Sequence, residues 1–272
     1  MSPDAEAVLR ERWSRSQRYV TAFSVFLPAL QFLPCTAIVL LAGGGIISSA
    51  AIALVPIAVA ALALRHWLRR QTPLDPSSWL PAAAIAVGAQ QLSIAIPGYG
   101  IATGRTHDEL TGPTVLFFGS WSVAAATCVA AHRASRALLK PLIAELGSAD
   151  VRLPLDVRAA VSGPELVSAQ IVVDHDRVEW TVRLYAGLGR GSRLDNSVPF
   201  RELIRVLPVT LPAVPVLRPW TVLPGGITLY AQAGPAVLLT SMNDEWLIPV
   251  HDAVLVTELL NRRQELWVLG TN

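Results

Sequence analysis

The sequence predicts an α-helical membrane bundle of four transmembrane helices, followed by a mainly-β cytoplasmic domain that a C-terminal helix closes. Three observations carry that expectation. Of the 272 residues, 52% are hydrophobic and only 15% charged, whereas soluble domains carry about a quarter charged residues. The deficit is confined to the first half: no Asp, Glu, Lys or Arg occurs between Tyr19 and Leu64, between Ser77 and Gly104, or between Leu110 and His132. From Pro141 onward there are fourteen acidic and eleven basic residues, and long apolar runs give way to alternation. The net charge is +5 before Pro141 and −3 after it. Intrinsic disorder, a secreted disulfide scaffold and a nucleic-acid partner are excluded by this balance and by the presence of only two cysteines.

Residues 1–19 form a basic cytoplasmic segment carrying Arg10, Arg12, Arg15 and Arg18. A bilayer core about 30 Å thick needs about 20 apolar helical residues to cross it. Four stretches within 20–140 are read as spans: 20–42, 46–64, 79–96 and 114–131. Gly43-Gly44-Gly45 suits a tight turn between the first two. Arg65, Arg69 and Arg70 follow the second span, and Arg133, Arg136 and Lys140 follow the fourth. The other two loops hold Arg105 alone, opposed by Asp108 and Glu109. Basic residues collect on the cytoplasmic side, which places both termini there. Tyr19, Trp67, Trp79 and Tyr99 stand where interfacial aromatics are expected. One lysine among 22 basic residues and abundant alanine read as a GC-rich bacterial genome. The expected location is therefore the bacterial inner (plasma) membrane, as a multi-pass protein.

No span contains an ionisable residue, which argues against a proton relay or an ion-coupled transporter. The adjacent amides Gln90 and Gln91 are the most polar intramembrane feature and are read as packing contacts between helices. Ser120 and Ser122 share a helix with His132, ten or more residues away. At about 1.5 Å per residue that leaves some 15 Å between base and hydroxyl, far beyond the roughly 3 Å a nucleophile needs. Cys35 and Cys128 have no metal-ligand spacing and are read as packed thiols. No catalytic residue, cofactor or metal is expected, and the protein is read as not an enzyme.

Residues 141–164 are read as a linker and 165–272 as a soluble domain. Residues 169–174 (AQIVVD) and 178–184 (VEWTVRL) form a hairpin around His175-Asp176-Arg177. In its second strand Val178, Trp180, Val182 and Leu184 alternate with polar residues, so one face is buried. A glycine-rich loop is expected over 185–197, a strand over 203–209 and an irregular proline-rich stretch over 211–224. A strand over 227–231 precedes a second hairpin, 236–240 with 245–250. The closing helix, 252–266, has Asp252 as N-cap and an apolar face of Leu255, Val256, Leu259 and Leu260. Glu258, Arg262 and Arg263 are placed on its wet side.

The segments 197–206 (SVPFRELIRV), 234–240 (GPAVLLT) and 246–250 (WLIPV), then His251-Asp252 and 259–263 (LLNRR), resemble the bacterial membrane-anchored PH-like domains over about 169–266. The resemblance implies a PH-like barrel or sandwich closed by the C-terminal helix and tethered to a membrane. It implies no reaction. In the loop around Gly187-Leu188-Gly189-Arg190-Gly191 the Lys-Ser/Thr of a phosphate loop is missing, so Arg190 and Arg193 are read as contacts for anionic lipid headgroups. Asp174-His175-Asp176 are read as turn residues. The function expected is a non-catalytic integral membrane protein that presents its soluble domain at the cytoplasmic face for protein or lipid contact. The alternative is an obligate accessory subunit of a larger cell-envelope or transport complex. Expected partners are membrane lipids and a membrane protein.

Overall fold

The computed structural model describes residues 3–41, 46–71, 74–104, 111–160, 166–186, 189–212, 218–242 and 244–270. The chain divides into two units: Arg10–Lys140, which is helical, and Pro141–Asn272 with Met1–Leu9, which is mainly β. The Gly43-Gly44-Gly45 turn lies outside the described residues, as does the loop holding Arg105, His107, Asp108 and Glu109.

Helix α1 (Pro3–Thr21) takes up the basic N-terminal segment. One π-helical turn, Ala22–Phe26, then leads into α2 (Leu27–Leu41). Two local causes favour that turn. Pro28 has no N–H to offer the carbonyl four residues earlier. Ser24 Oγ donates instead to the Val20 carbonyl at 2.6 Å, a side-chain bond that competes with regular helix. Helices α3 (Ile46–Arg70), α4 (Trp79–Gly104) and α5 (Thr111–Leu139) complete the unit. α1 and α5 are stitched one turn apart on each helix, in antiparallel register. Arg12 Nη1 donates to the Leu138 carbonyl (3.3 Å) and Ser16 Oγ to the Ala134 carbonyl (2.9 Å). Trp79 is fully buried, edge-on to Trp13, and its indole N–H donates to Gln71 Oε1 at 2.9 Å.

The count of four transmembrane helices is corrected here. Among the described residues one helix, Thr114–Leu139, is long and apolar enough to cross a membrane. The stretch 20–41 lies in one uninterrupted helical run, Pro3–Leu41, that passes through the π turn with both flanking residues, Thr21 and Leu27, in the right-handed helical region. The π turn interrupts only the regular α-helical bonding, which leaves α-helical stretches of 19 and 15 residues on its two sides. In α4 the amides of Gln90 and Gln91 are turned into the unit rather than diluted into an apolar wall.

The β unit begins before its expected boundary. Residues 141–160, read as linker, hold a 3₁₀ turn (Ala144–Ser148) and the strands β1 (Leu153–Asp156) and β2 (Ala159–Ala160). β1 pairs with β3 (Leu166–Val173), so it belongs to the sheet. β3 and β4 (Arg177–Ala186) form the expected hairpin, with Val178, Trp180, Val182 and Leu184 all buried. β5 (Gly189–Pro199) follows where a loop was expected. Its glycines and polar residues carry no apolar alternation. The strand exists because β4 supplies a ladder running from Arg177↔Pro199 to Ala186↔Gly189.

A second sheet joins β6 (Leu203–Leu211), β9 (Gly234–Ser241) and β10 (Glu245–Pro249) in the order β10-β9-β6. A third joins β2, β8 (Thr228–Ala231) and β7 (Arg218–Val222) in the order β2-β8-β7. β7 lies inside the stretch expected to be irregular. The expectation of a PH-like barrel is corrected: the strands form three antiparallel sheets with no closed barrel among the described residues. Pro199 and the 3₁₀ turn Phe200–Glu202 end the β5 ladder, and β6 pairs with β9 instead. Pro208, Pro219 and Pro249 occupy the outer strands β6, β7 and β10. A proline there removes a ladder donor, which blocks closure by further pairing.

Helix α6 (Ala253–Gly270) closes the unit. The Asp252 carboxylate accepts from the Leu255 N–H at 3.0 Å, the N-cap contact its position predicts. Val256, Leu259 and Leu260 are buried as expected. Gly147 allows close approach to α6, since a Cβ there would overlap the carbonyl oxygen of Leu259.

Candidate functional site

α5 sorts its residues by face. Ser120, Ala124, Thr127, Ala131, Ala134 and Leu138 recur at alternating spacings of four and three residues and are all buried. Val115, Phe118, Trp121 and Val129 are at least half exposed on the other faces. The inner face is thus small or polar and the outer one large and apolar, the reverse of a helix that packs in water. Phe26, Leu33, Leu62, Ile85 and Leu92 extend the exposed apolar surface onto the other helices.

Inside the unit is a seam of uncharged hydrogen bonds. Ser120 Oγ donates to Gln91 Oε1 at 2.9 Å and accepts from Gln31 Nε2 at 2.5 Å. Gln91 Nε2 donates back to the Ser120 carbonyl at 3.2 Å. α2, α4 and α5 are thereby joined at one hydroxyl. Gln90 is buried beside this seam. Interhelical bonds of this kind contribute about 1 kcal/mol each in apolar surroundings. Sequence reasoning singled out Gln90, Gln91 and Ser120 separately but missed Gln31. The signal for Gln31 was a lone amide in an otherwise apolar stretch. Such a group needs a partner when buried.

In the β unit the first hairpin carries a cluster of charges at its tip. Arg152 Nη2 donates to Glu179 Oε2 at 2.8 Å, with its Nε 3.4 Å from Asp174 Oδ2. Arg177 grips Asp176 with two bonds of 2.9 and 2.8 Å. That contact holds the Asp176 carboxyl below its ordinary range and raises the guanidinium of Arg177. His175 Nδ1 lies 3.2 Å from Asp150 Oδ1. Asp174, Asp176 and Glu179 turn to arginines and a backbone N–H, and Asp150 to His175. Among the described residues no group of three or more His, Cys, Asp or Glu could hold a metal ion.

Arg193, expected to reach lipid headgroups, is exposed on β5 and paired with Asp195 at 2.6 Å. Bonds from Thr181, then Arg193, hold the Asp195 carboxyl low. Arg190 lies on β5 opposite Tyr185, and its side chain is outside the described residues. Structure therefore adds no convergence of the two arginines on one ligand.

Arg263 departs most from its expected place. It is fully buried rather than on the wet side of α6. Its guanidinium donates to four carbonyls: Gly147 (2.7 Å), Val151 (2.9 Å), Asp174 (3.1 Å) and Leu146 (3.4 Å). Burial pushes its pKa down to about 10, against the pull of Asp150 and Asp174. Both folded and unfolded chains hold this proton at neutral pH, so the group adds no pH dependence there. Only above about pH 10, where the unfolded chain binds more protons than the folded one, would stability rise with pH.

Comparison of the chain with protein-family models, with curated proteins and with solved structures finds no match.

Proposed function

We propose that the chain is a non-catalytic membrane protein that holds its β unit at the cytoplasmic face for contact with a protein partner. The observation that carries this reading is the two-faced α5, with hydroxyls and small residues buried and Phe118, Trp121 and Val129 outward. Water would penalise that exterior, and hydrocarbon would not. Sidedness follows from the flanks of the same helix. Arg133, Arg136 and Lys140 crowd its C-terminal end, which favours the cytoplasm for everything after it.

The β unit exposes two apolar side chains at one end of its second sheet. Ile204 and Met242 are 63% and 69% exposed where Leu203 pairs with Ser241, and the exposed Arg201 and Arg205 flank them. Glu202, paired with Arg201 at 3.4 Å, and the exposed Asp244 and Glu245 share this edge, so the apolar centre has a mixed polar rim of the kind protein contacts use. Washing membranes at alkaline pH, which strips peripheral proteins, checks the anchoring. The chain should stay in the pellet until detergent is added. Release into the supernatant by alkali alone would remove the membrane reading.

A further inference from the structure

Four of the outer strands carry a proline, which removes a ladder donor: Pro154 in β1, Pro208 in β6, Pro219 in β7 and Pro249 in β10. β2, also outer, has only two residues. β5 is different. It runs for 11 residues with its one proline, Pro199, at the very end. On its outer side it meets no strand among the described residues. An edge of this kind is a template for pairing with another chain.

The ladder fixes which groups face outward. Arg177 stands opposite Pro199, and the Phe200 N–H donates to the Asp176 carbonyl at 2.9 Å. Hydrogen-bonded pairs alternate along an antiparallel ladder, so Leu194, Asn196 and Val198 turn their backbone groups to β4. Arg193, Asp195 and Ser197 turn theirs outward, and all three residues are exposed. Their side chains lie on the face opposite to that of Val178, Trp180 and Val182. The bulge facing Arg183–Tyr185 ends the regular edge just before Arg193.

Charge selects the occupant. Two copies of β5 can pair antiparallel about a two-fold axis in a few registers. An axis at Arg193 or at Asp195 opposes like charges, which is destabilising. An axis at Asn196 sets Asp195 against Ser197 and leaves both charges without a mate. An axis at Leu194 sets Arg193 of each copy against Asp195 of the other. Both residues are outward-facing, so each such pair exchanges two backbone bonds. Arg193 already meets Asp195 of its own chain at 2.6 Å, and the four groups then form a square of alternating sign. On the other face the half-buried Leu194 meets its own equivalent.

We propose that β5 is a self-association edge, along which two copies of the chain join antiparallel with the axis at Leu194. The proposal goes beyond the membrane reading and does not depend on it, because it concerns the β unit alone.

The experiment uses the full chain in mild detergent, with Cys35 and Cys128 replaced by alanine. Across a non-hydrogen-bonded pair the two Leu194 Cα atoms would lie about 4.5 Å apart, within disulfide range. Leu194→Cys should therefore give a disulfide-linked dimer on mild oxidation. Ser197→Cys should not, because its two copies would stand about 20 Å apart. Charge reversal at exposed positions gives a second reading that leaves the core intact. Arg193→Asp or Asp195→Arg should each raise the dimer dissociation constant about tenfold, read by light scattering. An equal mixture of the two variants should recover the dimer. Each charge then faces its opposite across the joint, although neither chain has its internal pair. A Leu194→Cys chain that keeps its circular dichroism but stays monomeric would overturn the proposal. So would cross-linking through Asn196→Cys instead, or a mixture that associates no more tightly than its components.

Discussion

Replacing Arg263 with methionine should destabilise the β unit by about 3–5 kcal/mol, the usual cost of breaking a buried charged network. Two effects oppose each other. Methionine relieves the burial of a charge, whose cost is evident in a pKa pushed down to about 10. It also strips donors from the carbonyls of Gly147, Leu146, Val151 and Asp174. Hydrogen bonds to a charged group contribute about 1.5–3 kcal/mol each, so four together outweigh the relief. The methionine has no donor to offer them. Lysine at the same position has three donors and one charge, and should restore part of the loss. Hydrogen exchange in the full chain reads both variants locally. Peptides from α6 and from 144–156 should exchange faster by two orders of magnitude or more in the methionine variant, at about 1.4 kcal/mol per tenfold. Exchange unchanged in both variants would mean that the carbonyls find water instead.

The second large effect is at Trp180, on the buried face of β4. The ring is 3% exposed and meets Trp246 edge-on at 5.4 Å between centroids. Its strand neighbours are Ile171 on β3 and Asn196 on β5. Trp180→Ala should therefore cost about 3–5 kcal/mol, because the cavity lies between two strands that cannot both move inward. Protection of β3–β5 amides in the full chain is the readout. A change below about 1 kcal/mol would put the ring in solvent and invert the strand register.

Where residues formed a repeating pattern, the sequence revealed the structure. Val178, Trp180, Val182 and Leu184 alternate, so the first hairpin and its buried face were legible. The Asp252 cap was legible too, because capping depends on four consecutive residues, Asp252 to Leu255. What stayed hidden depended on distant partners. β5 has no alternation of its own and is a strand only because β4 lies beside it. Arg263 was placed on the wet side of α6 by its charge, although helical spacing continues the buried row of Val256, Leu259 and Leu260 onto it, and only the fold brings four carbonyls to it. Three outer prolines and a 3₁₀ turn left the sheets open where a barrel was expected. In the helical unit the apolar stretches were plain to read. The π turn at Ala22–Phe26 came from one missing N–H and one serine hydroxyl, details that a window of hydropathy averages away. The seam through Ser120 was half legible: Gln91 stood out, whereas Gln31 gained meaning only once α2 packed on α5.

Sidedness of the β unit tests the membrane reading most directly. Met242 is 69% exposed, and a cysteine there, in a chain with Cys35 and Cys128 replaced by alanine, would report it. A maleimide that cannot cross membranes should label Met242→Cys in inverted vesicles and leave it unlabelled in intact cells. Labelling in intact cells, or recovery of the chain in the soluble fraction, would contradict a membrane anchor that holds the β unit in the cytoplasm.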